Sequence, residues 1–224
     1  FLVGCPRSGT SLVRRIVDSH SRIACPPESH FLIPLLRMLK DRRCQRGFGG
    51  MGFGSEAVAA RTRAFAERFF AEYAQAQSKP RWADKTPFHV DYLDDLADLS
   101  GPTTRFVLIQ RHGLDVARSM TKTLSGFLAS ELGAARGNPV DAARVAGGYW
   151  AEKTAKVLDF EARRPTQCHV VRYEALVDDP ASTVKALFEF VGEAYEPATL
   201  DFNATHHDSG LEDGRVRASR QIDR

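Results

Sequence analysis

The segment Gly4-Cys5-Pro6-Arg7-Ser8-Gly9-Thr10-Ser11 contains the residue types needed to hold a tetrahedral oxyanion. Gly4 and Gly9 allow the backbone to fold back with its N–H groups pointing inward. Thr10 and Ser11 then open an amphipathic helix through Leu12, Val13, Ile16 and Val17, whose N-terminus is a ready anion site. The glycine spacing is that of the G-x-x-x-x-G-K-[ST] phosphate loop, but Thr10 stands in the lysine position and the cation has moved inside the loop to Arg7. A guanidinium is a planar fork of donors suited to such an anion. No apolar strand ends in a magnesium-binding aspartate of the kind that nucleoside triphosphate chemistry requires.

Phe1-Leu2-Val3 reads as a short buried strand feeding the loop. Arg22-Ile23-Ala24-Cys25 is a second strand, stopped by Pro26-Pro27 before Glu28. A helix is expected from about Phe31 to Lys40. The stretch Arg42–Ser55, with Gly47, Gly49, Gly50, Gly52 and Gly54 among basic residues, reads as a mobile loop beside the site. Glu56–Gln77 reads as a long amphipathic helix with Val58, Phe65, Phe69 and Tyr73 on its inner side.

Trp82–Pro87 follows as strand and turn, then a helix through Tyr92, Leu93 and Leu96. Phe106–Ile109 is a buried strand ending at Gln110-Arg111, with a helix from near Leu114. Asn138-Pro139 opens a helix bearing Val145, Tyr149, Val157 and Phe160. His169–Tyr173 is another strand, and Asp179-Pro180 caps a helix with Val184, Leu187, Phe188 and Val191. Strands alternating with helices predict an α/β fold: a P-loop-like three-layer α/β/α arrangement around a mostly parallel sheet, with ligands at the carboxyl ends of the strands.

At 224 residues and 43% hydrophobic, the chain suits one globular domain spanning 1–224, trimmed at both ends. A net charge of +3 fits an anionic small ligand and excludes a nucleic-acid-binding surface. Cys5, Cys25, Cys44 and Cys168 show neither metal spacing nor disulfide density, which predicts free thiols in a reducing compartment. No apolar run approaches the ~20 residues of a membrane span.

Beyond this bare chemistry, Gly4-Cys5-Pro6-Arg7-Ser8-Gly9-Thr10-Ser11 resembles the 5′-phosphosulfate loop of sulfotransferases that use 3′-phosphoadenosine 5′-phosphosulfate (PAPS). The resemblance implies a second signature, an arginine at a strand end with a serine eight residues on, to hold the 3′-phosphate. Arg111 and Ser119 supply it. Cys25-Pro26-Pro27-Glu28-Ser29 resembles the segment of tyrosylprotein sulfotransferases that carries the catalytic base. Trp82-Ala83-Asp84-Lys85-Thr86-Pro87 is similar to the family's lysine-bearing turn. Arg172–Pro180 looks like a segment frequent in bacterial members, and Arg215–Ile222 resembles a late loop whose serine, here Ser219, approaches the cofactor. The family's Gly-x-Trp-[Lys/Arg] element does not occur before Arg224.

The resemblance implies sulfuryl transfer from PAPS, released as 3′,5′-bisphosphoadenosine, to a hydroxyl of a small molecule, glycan or peptide. Glu28 is the expected base, with His89 and His30 as rivals. Lys85 is expected at the bridging oxygen, and Arg7, Ser8, Gly9, Thr10 and Ser11 at the phosphosulfate. Tyr173 is expected at the nucleoside or packed on the sheet. A sulfuryl group carries less negative charge than a phosphoryl group, so no metal clamp is required. The runner-up is a nucleotide or small-metabolite kinase using ATP and magnesium. The glycine-rich stretch 42–55 and the segment 124–138 are expected to line the acceptor cleft, and the composition looks bacterial and cytoplasmic.

Overall fold

The computed structural model describes residues 1–122, 139–208, 210 and 222. Strands β1 (Leu2–Gly4), β4 (Phe106–Gln110) and β5 (Cys168–Arg172) form one parallel ladder in the order β1-β4-β5. Strands β2 (Ile23–Ala24) and β3 (Arg81–Trp82) form a second parallel pair. A parallel bridge from Leu2 to Lys85 joins the two, with the Leu2 N–H donating to the Asp84 carbonyl at 2.9 Å. The chain just beyond β3 thus runs beside β1 and carries Lys85 to the phosphate loop.

Side-chain alternation along the strands builds two cores. Leu2, Val107, Ile109 and Val171 face helices α1 (Thr10–Asp18), α8 (Tyr173–Asp178) and α9 (Pro180–Val191), packing with Val13, Ile16, Leu176 and Phe188. Val3, Phe106 and Leu108 face the opposite layer. That layer consists of α2 (Leu32–Lys40), α4 (Ser55–Ala76), α5 (Leu93–Ser100) and α7 (Pro139–Arg163), through Leu36, Phe70, Leu96 and Phe160. Burial on both faces explains why these strands read as unbroken apolar runs. The fold is α/β, with parallel strands flanked by helices.

Three expectations are corrected. Arg42–Gly50 is a helix, α3, rather than a loop. The Asp41 carboxylate accepts from the N–H groups of Arg43 and Cys44 at 2.8 and 2.9 Å, an N-cap that offsets the glycine penalty. On α4 the buried stripe is Val58, Thr62, Ala66, Phe70 and Ala74, while Phe65 and Phe69 are exposed. Small side chains at Thr62, Ala66 and Ala74 let this face approach its neighbours closely, so the inner face is rotated from the one that aromatic spacing indicated. Strand β5 also ends at Arg172, and Tyr173 begins α8.

Candidate active site

The loop between β1 and α1 is shaped by backbone necessity. Gly4 lies against β4, where a Cβ would come 2.4 Å from the Ile109 carbonyl oxygen. Arg7 takes φ 74° and Gly9 φ 94°, the left-handed region that L side chains enter only with strain. Gly9 is the N-cap of α1, and among the described residues no side chain caps the helix, so its first-turn N–H groups are left for a ligand. A Cβ at Gly9 would sit 2.3 Å from the Tyr173 ring, which closes over the loop.

Arg7 Nε donates to Ser119 Oγ at 3.2 Å, joining the loop to α6 (Gly113–Lys122). Arg111, just past β4, donates through Nη1 to the Arg7 carbonyl at 3.4 Å. Its guanidinium lies 4.0 Å from the centroid of the Tyr173 ring, a cation–π contact. Arg7, Gly9, Arg111, Ser119 and Tyr173 therefore form one contact network at the carboxyl ends of β1, β4 and β5. Ser8 Oγ and Arg111 Nε are buried there with no hydrogen-bond partner among the described residues. Buried donors of this kind fit an oxyanion, and two arginines, Arg7 within the loop and Arg111 just past β4, fit a ligand bearing two anionic groups.

The second half of the site is built on Glu28 and Lys85. Lys85 is fully buried, and its Nζ lies 2.6 Å from Glu28 Oε1 and 3.3 Å from Ser11 Oγ. Glu28 Oε2 is 3.1 Å from His30 Nε2, and His30 takes φ 54°. The Ser29 N–H donates to Thr86 Oγ1 at 3.2 Å, which holds the two segments side by side. His89 lies elsewhere: it is fully buried, Nδ1 is 3.3 Å from Asp84 Oδ2, and its ring packs edge-on to Phe1. Burial pushes Asp84 up to about 6 and His89 down to about 3, so His89 is neutral near pH 7. Burial also pushes the Cys5 thiol up to about 12, leaving it an inert member of the loop. Ser219 and the segment 124–138 lie outside the described residues.

A family model described as "Sulfotransferase family" matches residues 1–197. The chain belongs to the sulfotransferase family. Among curated relatives it is 29% identical over 219 residues to the nodulation protein NoeE of Sinorhizobium fredii, covering 90% of this chain and 51% of that protein. It is 26% identical to a putative protein-tyrosine sulfotransferase of Caenorhabditis briggsae, covering 93% of this chain and 69% of the relative. For protein-tyrosine sulfotransferase 1 of Danio rerio the identity is 27%, with 93% and 55% covered. The chain thus spans about half the length of NoeE and of the Danio rerio protein. The fold is shared with two solved structures, each 21% identical and each matched over 100% of this chain. The sulfotransferase domain of the curacin biosynthetic pathway gives a TM-score of 0.68 with 86% of that chain covered. The sulfotransferase domain of the Synechococcus PCC 7002 olefin synthase gives 0.70 with 83% covered.

Within this sulfotransferase fold, several supporting residues carry no sequence signature. Trp150 of α7 donates from Nε1 to the Arg111 carbonyl at 3.1 Å, and its ring fills the space against Gly113. Glu174 accepts from the His112 N–H at 2.9 Å. The buried Arg14 and Asp18 of α1 hold the backbone of Cys25, three residues before Glu28. The available signal was an arginine and an aspartate at i and i+4 in a helix with a strong apolar face, since such charges, when buried, need partners.

Proposed function

We propose that this chain transfers a sulfuryl group from PAPS to an acceptor hydroxyl by in-line displacement, with Glu28 as general base. The observation that carries this reading is the position of Lys85 Nζ, between Glu28 Oε1 at 2.6 Å and Ser11 Oγ at 3.3 Å. One ammonium thereby stands at both the base and the anion loop. The nucleotide, when bound, supplies the sulfuryl group and leaves as 3′,5′-bisphosphoadenosine.

Arg7, the first-turn N–H groups of α1 and the hydroxyls of Ser8, Thr10 and Ser11 would hold the 5′-phosphosulfate. Arg111 and Ser119 would hold the 3′-phosphate, and Tyr173 would pack on the nucleoside. Glu28 takes the acceptor hydroxyl proton, and His30 on Oε2 orients the carboxylate. Lys85 neutralises charge at the loop as it develops, in a site where its full burial strengthens the effect. His89, buried beside Asp84, does not act as the base. Ser219 retains the donor-side role implied by the resemblance.

The acceptor class is a hydroxyl of a small molecule, glycan or peptide; the names of the protein-tyrosine relatives support including peptide tyrosine. The test is incubation with a radiolabelled sulfuryl donor and a panel of phenols, tyrosine peptides, sugars and aliphatic alcohols. Label in a hydroxyl-bearing product supports the reading. Label in none, by a protein that binds bisphosphoadenosine, overturns it in favour of a binding module.

A further inference from the structure

The chain after α9 returns to α1 and reaches the segment that carries Glu28. The His207 side chain is almost fully covered, with Nδ1 2.6 Å from Asp18 Oδ2 and Nε2 2.6 Å from the Phe202 carbonyl. The other oxygen of Asp18 accepts from the Cys25 N–H at 2.8 Å. Arg14 Nη1, 3.4 Å from Asp18 Oδ2, donates to the Cys25 carbonyl at 2.8 Å. Lys79 Nζ donates to the Asp18 and Ile23 carbonyls. Both backbone polar groups of Cys25 are therefore held by α1, and Asp18, one of the holders, is itself held by His207.

The next residues continue the fastening. Asp208 Oδ2 accepts from Tyr73 Oη and Gln77 Nε2 of the α4 end, both at 2.9 Å. Gly210 lies against Pro27, where a Cβ would come 2.6 Å from the Pro27 Cβ. The strap formed by Phe202, His207, Asp208 and Gly210 is thus tied to α1 and to α4 and rests on the proline that precedes Glu28. Pro26 and Pro27 have fixed φ, so little slack separates the pinned Cys25 from the carboxylate.

We propose that His207 is a positioning residue for Glu28: it locks the strap to Asp18, so that strap, Cys25 and the Pro26-Pro27-Glu28 turn hold one geometry. This rests on Glu28 as the base. Displacement of a reacting group by about an ångström costs on the order of 10²-fold in rate. His207→Ala therefore lowers kcat by about 10–100-fold with bisphosphoadenosine affinity unchanged, since its bonds go to Asp18 and Phe202 and not to the donor loop. His207→Asn, which keeps one donor, recovers part of the loss. Gly210→Ala, which pushes on Pro27 without altering His207, lowers kcat in the same way.

The readout that needs no acceptor is amide hydrogen exchange at Cys25, Glu28 and Ser29, expected to accelerate in His207→Ala while the amides of β4 keep their protection. Three outcomes overturn the proposal: wild-type kcat and exchange in His207→Ala, equal loss of bisphosphoadenosine affinity and kcat, or acceleration spread over β4. Failure of the underlying reading is separate, since it would show as wild-type turnover in Glu28→Gln.

Discussion

Lys85 Nζ stands 2.6 Å from Glu28 Oε1 with the lysine side chain fully buried and the glutamate partly exposed. Such a pair is a poor source of stability, because desolvation of both charges offsets most of their attraction, and removing one partner strands the other. Its value here is positional. The same ammonium reaches Ser11 Oγ at 3.3 Å, so the carboxylate is set at a fixed distance from the helix N-terminus proposed to receive the donor. The proposed mechanism depends on this alignment.

Glu28→Gln keeps an acceptor for Lys85 but cannot take a proton. Turnover should fall by ~10²-fold or more with bisphosphoadenosine affinity within a few-fold of wild type. Steady-state kinetics paired with calorimetry checks both, and near-normal turnover would move the base to His30.

Arg111 and Ser119 are assigned to the 3′-phosphate. Replacing either by alanine should weaken 3′,5′-bisphosphoadenosine by about 10-fold or more, the scale of a lost charge-assisted contact. Binding of 5′-AMP, which lacks that group, should change little. Equal losses for both nucleotides would place these residues elsewhere on the ligand or in the structure of the loop, where Arg7 already contacts Ser119.

Gly9→Ala places a Cβ 2.3 Å from the Tyr173 ring at φ 94°. The substitution should destabilise the fold by about 1–3 kcal/mol through overpacking and left-handed strain. Tyr173→Ala should relieve the clash and leave the strain, which thermal melts of the single and double variants can separate.

Asp84 and His89 make opposite contributions to acid stability. Burial lowers His89 from 6.5 to about 3, so the unfolded chain takes up its proton first and stability is lost as pH falls. Burial raises Asp84 from 3.8 to about 6, so the folded chain takes up that proton first and stability is gained over the same interval. The two slopes oppose each other between about pH 6 and 4. Asp84→Asn exposes the histidine contribution, stability falling as pH drops through that window, and His89→Gln exposes the opposite slope. Melting temperature against pH for the three proteins checks the signs.

The turn from β1 into α1 is legible in the sequence because it is local: Gly4, Arg7, Gly9, Thr10 and Ser11 lie within eight residues, and the apolar run Phe106–Ile109 marks the strand that leads to Arg111. The α/β alternation was legible for the same reason. What stayed hidden depends on packing between distant segments. Phe65 and Phe69 look like core residues, yet α4 turns its smaller side chains inward. The glycines of α3 look like a loop until Asp41 caps them. His89 follows Lys85 by one helical turn but is drawn behind Asp84, while His30, beside Glu28 in sequence, is the histidine that meets it. Trp150 and His207 reach their partners across long sequence separations that no spacing reveals.

The central claim is that the loop and the Arg111–Ser119 pair together hold a nucleotide with both a 5′- and a 3′-anionic group. The most direct measurement is calorimetric titration with 3′,5′-bisphosphoadenosine in the presence of a metal chelator, alongside ATP with magnesium. The account predicts one-to-one binding of the bisphosphate without metal, far tighter than that of ATP. Magnesium-dependent ATP binding with no response to bisphosphoadenosine would contradict it.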